Sequence, residues 1–183
     1  QVAEEAVSFR QAVQDAAPFH PLMVKIKLLW ACNLACTMCD FSRRDAPTSL
    51  TFERLADTLD DLAALGCRKV HFTGGEPALR SDLPDLIAYT RRLKMRATLT
   101  TNGTLLTEKR CRELIQAGLD LLWVSIDGAS PESYADVRLG AELPTVIENL
   151  ERFKRLRVML SGNLSWHFPK PELGIAFVAM RRN

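Results

Sequence analysis

The chain has 183 residues, 47% of them hydrophobic, which is enough for one domain with a buried core. Its formal net charge of +2 gives no reason to expect nucleic acid or an anionic membrane as a partner. No apolar run approaches the roughly 20 residues of a membrane-spanning helix, and no signal peptide is recognised. The five cysteines are an odd number, which fits a disulfide framework poorly and favours a reduced, cytoplasmic protein.

Residues 1–23 form the first predicted unit, an N-terminal helix with a linker. An imperfect apolar stripe predicts the helix over residues 2–17, and Pro18 and Pro21 end it. His20, in the linker, is interpreted as a surface residue rather than a metal ligand. The chain begins at Gln1 and stops after an apolar run, so we expect it to be part of a longer protein.

Residues 24–183 form the second unit, in which strands alternate with helices. This alternation predicts a parallel sheet with right-handed crossovers. Helices are expected after Thr51, Ser81, Thr107, Ser130 and Pro144. In the last of them, Val146, Ile147, Leu150 and Phe153 are predicted to be buried. The predicted strands are 24–30, 69–72, 96–100, 121–126 and 174–180.

Polar residues follow each of the first four strands. Cys32, Glu76, Asn102 and Asp127 all stand just after a strand end. An open doubly wound sheet and a barrel both fit the alternation. In a barrel these strand ends meet at one mouth, where such enzymes build their sites, so the motifs favour an α/β barrel.

The loop after the first strand carries Cys32, Cys36 and Cys39 at CxxxCxxC spacing. Structural zinc usually takes four ligands, and no histidine or fourth cysteine lies nearby in sequence. Three thiolates suit an iron–sulfur cluster and leave one iron of a 4Fe–4S cube open to a substrate. A cluster is therefore favoured over zinc, which remains an alternative.

Two motifs carry a resemblance to a known family. The run from Cys32 to Cys39 resembles the CxxxCx(bulky)C signature of the radical S-adenosylmethionine (radical SAM) enzymes, with Met38 at a position that is often Tyr or Phe. Thr73-Gly74-Gly75-Glu76-Pro77 is similar to the GGEP motif of the same family. The two motifs stand in the family's order, and the likeness extends from about Lys25 to the end of the chain.

The resemblance implies a TIM-like partial (β/α)6 barrel, here truncated after the fifth strand. It also implies that the three cysteines hold three irons of a 4Fe–4S cluster and that the fourth iron binds S-adenosylmethionine. An electron donor such as flavodoxin or ferredoxin would reduce the cluster. Cleavage would then give methionine and a 5′-deoxyadenosyl radical that takes hydrogen from a substrate.

The resemblance further assigns residues to the cofactor. Gly74, Gly75, Glu76 and Pro77 would contact the methionine amino group, although a strand-to-helix turn also explains the glycines and the proline. The remaining assignments have turn capping, surface exposure or core packing as alternatives. They are Asn102, Ser125 and Asp127 for the ribose or pocket wall, Arg138 for the carboxylate, and Met38, Ile175 and Phe177 for adenine. For Ile175 and Phe177, core packing is the preferred interpretation.

The run from Ser125 to Arg138 is similar to the branch with a SPASM or twitch extension, whose members modify peptides and proteins or act in cofactor synthesis. Cys67 and Cys111 lack the spacing for an auxiliary cluster and are interpreted as core residues. Two rival functions remain: an iron–sulfur electron-transfer or scaffold module that does not cleave S-adenosylmethionine, and a zinc-stabilised binding domain. The substrate is not indicated.

We predict that Cys32→Ala, Cys36→Ala or Cys39→Ala abolishes the absorption of the reconstituted 4Fe–4S cluster, because each removes one iron ligand. Cys67→Ala and Cys111→Ala are the matched controls and should leave the absorption unchanged. The measurement is the visible spectrum together with the iron and sulfide content. Full cluster content in Cys36→Ala would rule out the assignment.

Overall fold

The computed structural model describes residues 10–16, 20–41, 49–160 and 170–181, and its centre is a five-stranded parallel sheet. Strand order follows chain order from β1 to β5 without reversal. A doubly wound sheet reverses its strand order at a switch point, whereas a barrel does not. The predicted partial barrel is therefore confirmed. The strands are β1 Met23–Lys27, β2 Lys69–Thr73, β3 Arg96–Thr101, β4 Leu121–Ser125 and β5 Glu172–Ala176.

Helices connect the strands, and polar caps define where several of them begin. Thr51 and Thr107 accept from the amides of Arg54 and Arg110, and Ser130 forms a capping box with Ser133. Residues 10–14 are helical, and the rest of the predicted N-terminal helix lies outside the described residues. The helices are α1 Phe52–Ala64, α2 Leu83–Arg92, α3 Glu108–Gln116, α4 Pro131–Val137 and α5 Leu143–Leu160, with a 3₁₀ turn at Pro77–Leu79.

The core lies between the helices and one face of the sheet. Val70, Leu99 and Leu122 are fully buried on that face. The alternate residues His71 and Trp123 are less completely covered, as the two-residue period of a strand requires. Because the helices cover one face, the other face of the sheet is left to line the inside of the partial barrel.

The strand ends differ from the prediction at β1 and β5. β1 stops at Lys27 instead of residue 30, because the backbone from Leu29 onward pairs with the turn after β2 rather than with the strand itself. β5 begins two residues earlier than predicted and ends at Ala176. Ile175 and Phe177 are 59% and 52% exposed among the described residues, so the preferred prediction that they pack in the core was wrong.

One predicted core residue of α5 was also wrong. Ile147 is 43% exposed, whereas Val146, Leu150 and Phe153 are buried as predicted. The polar residue Asn149 is buried in the same helix, and its side-chain amide donates to the carbonyls of Gly103 and Thr104. The helix therefore uses one polar position to hold the loop after β3.

A buried carboxylate, Asp120, lies at the opposite end of the sheet, directly before β4. Asp120 accepts from Arg91 at 2.7 Å, from the amide of Ala97 at 2.9 Å and from Lys170 at 3.3 Å. Arg91 is therefore part of a structural ion pair. No helix among the described ranges is long and apolar enough to cross a membrane.

Candidate functional site

The Gly-Gly turn after β2 is bonded to the backbone that leads into the cysteine loop. The amide of Gly75 donates to Leu29 at 2.9 Å, and that of Glu76 donates to Ala31 at 2.9 Å. Gly74 has φ +141, which L residues rarely adopt, and a Cβ on Gly75 would collide with the Ala31 carbonyl. The glycines thus permit a close approach, and in this structure the approaching group is the lead-in to Cys32.

Glu76 is the buried hub of the site, with 1% of its surface exposed. Its Oε1 accepts from the Ala78 amide at 2.9 Å and from the Thr101 hydroxyl at 2.6 Å. Its Oε2 accepts from the Asn102 amide at 2.7 Å. A carboxylate has about four acceptor positions, so one remains beside these three bonds. Burial raises the pKa of Glu76, and the bonds from Asn102 and Thr101 oppose that rise.

A side-chain clasp joins the cysteine loop to the end of β3. The Asn102 amide group donates to Asn33 Oδ1 at 2.8 Å, and the Asn33 amide group donates to the Thr104 hydroxyl at 2.8 Å. Asn102 Oδ1 in turn accepts from the Thr104 amide at 3.0 Å. The sequence reasoning found Asn102 but missed Asn33, Thr104 and Thr101.

The end of α4 supports the loop from the other side. The amide of Ala35 donates to Leu139 at 3.0 Å, and that of Thr37 donates to Val137 at 2.9 Å. These bonds bracket Cys36, which is buried. Backbone bonds to two different parts of the fold therefore hold the lead-in and the middle of the loop.

Asp127 and Arg138, which the resemblance assigned to different parts of S-adenosylmethionine, are bonded to each other. Asp127 is fully buried, and its Oδ2 accepts from Arg138 Nε at 2.7 Å. Ser125 is half-buried at the end of β4, and Met38 lies partly exposed in the cysteine loop. Pro77 starts the 3₁₀ turn that Glu76 caps. Their roles toward the cofactor stay predictions.

All five cysteines are free thiols. Burial raises the pKa of Cys32 and of Cys36. Cys67 and Cys111 are buried in the core, as predicted, and burial raises the pKa of Cys111 to about 11.

The donor set of the loop suits an iron–sulfur cluster. Cys32, Cys36 and Cys39 are free thiols on one short loop, and thiolates are the ligands of such clusters, each binding one iron of a cubane. Backbone hydrogen bonds from Gly75, Glu76, Ala35 and Thr37 hold that loop against the rest of the fold. Among the described residues, no group of three His, Cys, Asp or Glu side chains is arranged to hold a single metal ion.

Comparison with known proteins decides the family. Residues 29–164, more than half of the chain, match the model of the Radical SAM superfamily. The chain belongs to the radical SAM superfamily. Its members are enzymes that use a 4Fe–4S cluster and S-adenosylmethionine, so these are the family's cofactors.

This radical SAM chain is similar to proteins with different names, of which two curated relatives and one solved structure are examples. Fe-coproporphyrin III synthase of Methanosarcina barkeri is 41% identical over 99 residues, covering 53% of this chain and 25% of that protein. PqqA peptide cyclase of Streptomyces rochei is 38% identical over 121 residues, covering 64% and 33%. The structure of native anSMEcpe with bound AdoMet and Cp18Cys peptide is 25% identical with a TM-score of 0.65, covering 85% and 42%.

The radical SAM chain spans between a quarter and a third of the length of these two curated relatives. The match to the family model, residues 29–164, includes the cysteine loop and the Gly-Gly turn. The activity and substrate of a whole protein are a separate question.

We predict that Gly75→Ala lowers the iron content after anaerobic reconstitution, because the new methyl group would displace Ala31 and with it Cys32. It should also lower the free energy of unfolding by about 1–3 kcal/mol, as overpacking does. Both quantities are measured, by iron analysis and by urea titration of the cluster-free chain.

The matched control is Gly66→Ala. Gly66 has φ +80 but no atom within 4 Å of its added Cβ, so the substitution strains the backbone by about 1–2 kcal/mol without a collision. Gly66→Ala should keep its full iron content. Equal iron content in the two variants would contradict the steric account of the turn.

Proposed function

We propose that this chain is the catalytic core of a radical SAM enzyme that cleaves S-adenosylmethionine reductively and uses the resulting radical to take hydrogen from a substrate. One observation carries the proposal. The two family motifs are bonded backbone to backbone, so that the buried carboxylate of Glu76 lies close enough to Cys32 to act on the pKa of its thiol. This proximity supports the proposed roles of Cys32 as a metal ligand and of Glu76 as a cofactor-binding carboxylate.

Cys32, Cys36 and Cys39 are the residues that would hold the cluster. When bound, the cluster supplies the electron that breaks a carbon–sulfur bond of S-adenosylmethionine. The chain's part is to hold these groups in place and to keep water away. Leu29, before the loop, and Leu34, within it, are buried and contribute apolar surface there.

Glu76 is proposed to accept from the methionine ammonium through its remaining acceptor position. A buried carboxylate that already accepts three hydrogen bonds cannot turn away, so its direction is set before the cofactor binds. Asn102 and Ser125 are proposed to line the ribose pocket, Met38 to pack against adenine, and Arg138 to reach the carboxylate.

The substrate is proposed to be a peptide or a cofactor precursor. The names of the relatives favour these classes, since they include a peptide cyclase and a porphyrin synthase. We further propose that residues 24–183 are the radical SAM core of a longer cytoplasmic protein, with residues 1–23 as a preceding helix and linker, and that flavodoxin or ferredoxin reduces it. The alternative is a cluster-bearing electron-transfer module; only the cleavage assay separates it from an enzyme.

The test is the release of 5′-deoxyadenosine from S-adenosylmethionine by the anaerobically reconstituted chain under reducing conditions. We expect release by the wild type and none by Cys36→Ala. In Glu76→Gln, loss of a charge-assisted hydrogen bond of about 1.5–3 kcal/mol should weaken S-adenosylmethionine binding roughly ten- to a hundredfold at unchanged iron content.

Glu108→Gln is the matched control, since Glu108 is an exposed carboxylate of α3 paired with Arg112. It should keep both iron content and affinity. A wild-type chain that holds a cluster but releases no 5′-deoxyadenosine would favour the electron-transfer module. Unchanged affinity in Glu76→Gln, or loss of iron together with affinity, would limit Glu76 to a structural role.

A further inference from the structure

A buried ion pair lies between the end of β4 and the cysteine loop. Asp127 Oδ2 accepts from both Nε and Nη2 of Arg138, and Oδ1 accepts from the amide of Val178 at 2.7 Å. Both carboxylate oxygens are therefore engaged. The side chain of Arg138 is 11% exposed. A guanidinium held in this way has a fixed direction and keeps donors for a further partner.

Cys36 lies opposite Arg138 along the backbone. The bonds from Ala35 to Leu139 and from Thr37 to Val137 bring residue 36 opposite residue 138. Burial raises the pKa of the Cys36 thiol, and Arg138 is close enough for its charge to oppose that rise. The guanidinium is therefore near one of the three proposed cluster ligands.

Tyr134 adds a second donor at the same place. Tyr134 is a fully buried residue of α4, one turn before Arg138, which caps the C-terminal end of that helix. Its hydroxyl has no hydrogen-bond partner among the described residues, and it is close enough to Arg138, Cys36 and Asp127 for their charges to act on its pKa, which burial raises. Burying a hydroxyl without a hydrogen-bond acceptor costs free energy, so we expect the group that binds at this place to supply the acceptor.

We propose that Arg138 and Tyr134 donate hydrogen bonds to the Cys36 thiolate and to the sulfur atoms beside it, and that they thereby raise the reduction potential of the cluster. The inference rests on the proposed function, because it needs a cluster on the three cysteines. Reduction adds negative charge to the cluster, and a guanidinium and a hydroxyl that donate to its sulfurs stabilise that charge. Asp127 is the positioning residue that holds Arg138 in place.

The test is the midpoint potential of the reconstituted cluster, from an electron paramagnetic resonance titration without S-adenosylmethionine. Any role of Arg138 toward the cofactor's carboxylate is absent from that measurement. Arg138→Gln should shift the reduction equilibrium about tenfold toward the oxidised cluster, which is about 59 mV for a one-electron couple. Arg138→Lys should restore part of the shift, and Tyr134→Phe should shift it two- to threefold in the same direction.

Arg92→Gln is the control, because Arg92 belongs to α2, where it lies over the ring of Tyr89. The cluster of this variant should have the same midpoint potential as that of the wild type. If Arg138→Gln leaves Asp127 unpaired and the protein loses the cluster, the double variant Asp127→Asn/Arg138→Gln is measured in place of the single variant. Tyr134→Phe removes no hydrogen bond among the described residues, so its midpoint potential tests the inference whether or not Arg138→Gln retains the cluster. Unchanged potentials in Tyr134→Phe and in the Arg138 variant that holds the cluster would overturn the inference. A wild-type chain that takes up no cluster would instead overturn the proposed function.

Discussion

The structure depends on how a loop without helix or strand is held in place. The segment around Cys32, Cys36 and Cys39 has no ladder of its own, and its backbone groups need partners elsewhere. Gly75 and Glu76 bond the lead-in to the loop, and the end of α4 bonds its middle. Each of these partners follows a strand of the parallel sheet in the chain. The barrel therefore serves the site chiefly by bringing these strand ends to one mouth.

Charge at this mouth is arranged around two buried carboxylates. Glu76 is satisfied by a hydroxyl and two backbone amides, whereas Asp127 is paired with Arg138. The two carboxylates therefore differ. Within the part of the chain that the structure describes, Glu76 keeps an acceptor position and has no cation bonded to it, whereas Asp127 is paired with a cation that lies opposite Cys36. This difference explains why a cationic ligand group is proposed for Glu76, and why a cluster ligand is proposed as the partner of Arg138.

The sequence predicted the architecture because its signals were local. Alternating strands and helices, caps such as Thr51, and the two motifs lie within short windows, and the fold, family and cofactors followed from them. Ile147 was misassigned because apolar spacing on α5 does not show that Asn149 would take a buried position. The partner of Asn33 was missed because this hydrogen bond joins residues 71 positions apart, and single-sequence patterns carry no information at that distance. The pairing of Arg138 with Asp127 spans 11 residues and was missed because both residues had been assigned to the cofactor.

The central claim is that the fold itself holds the cysteine loop in place before any cluster binds. Hydrogen–deuterium exchange of the cluster-free chain tests it most directly, at the amides of Ala35, Thr37, Gly75 and Glu76, which donate the bonds that hold the loop. The account predicts that these amides exchange slowly without iron, close to the rates of core strands, and change little on reconstitution. Exchange at the rate of unstructured peptides until the cluster is added would show that the metal, not the fold, orders the loop.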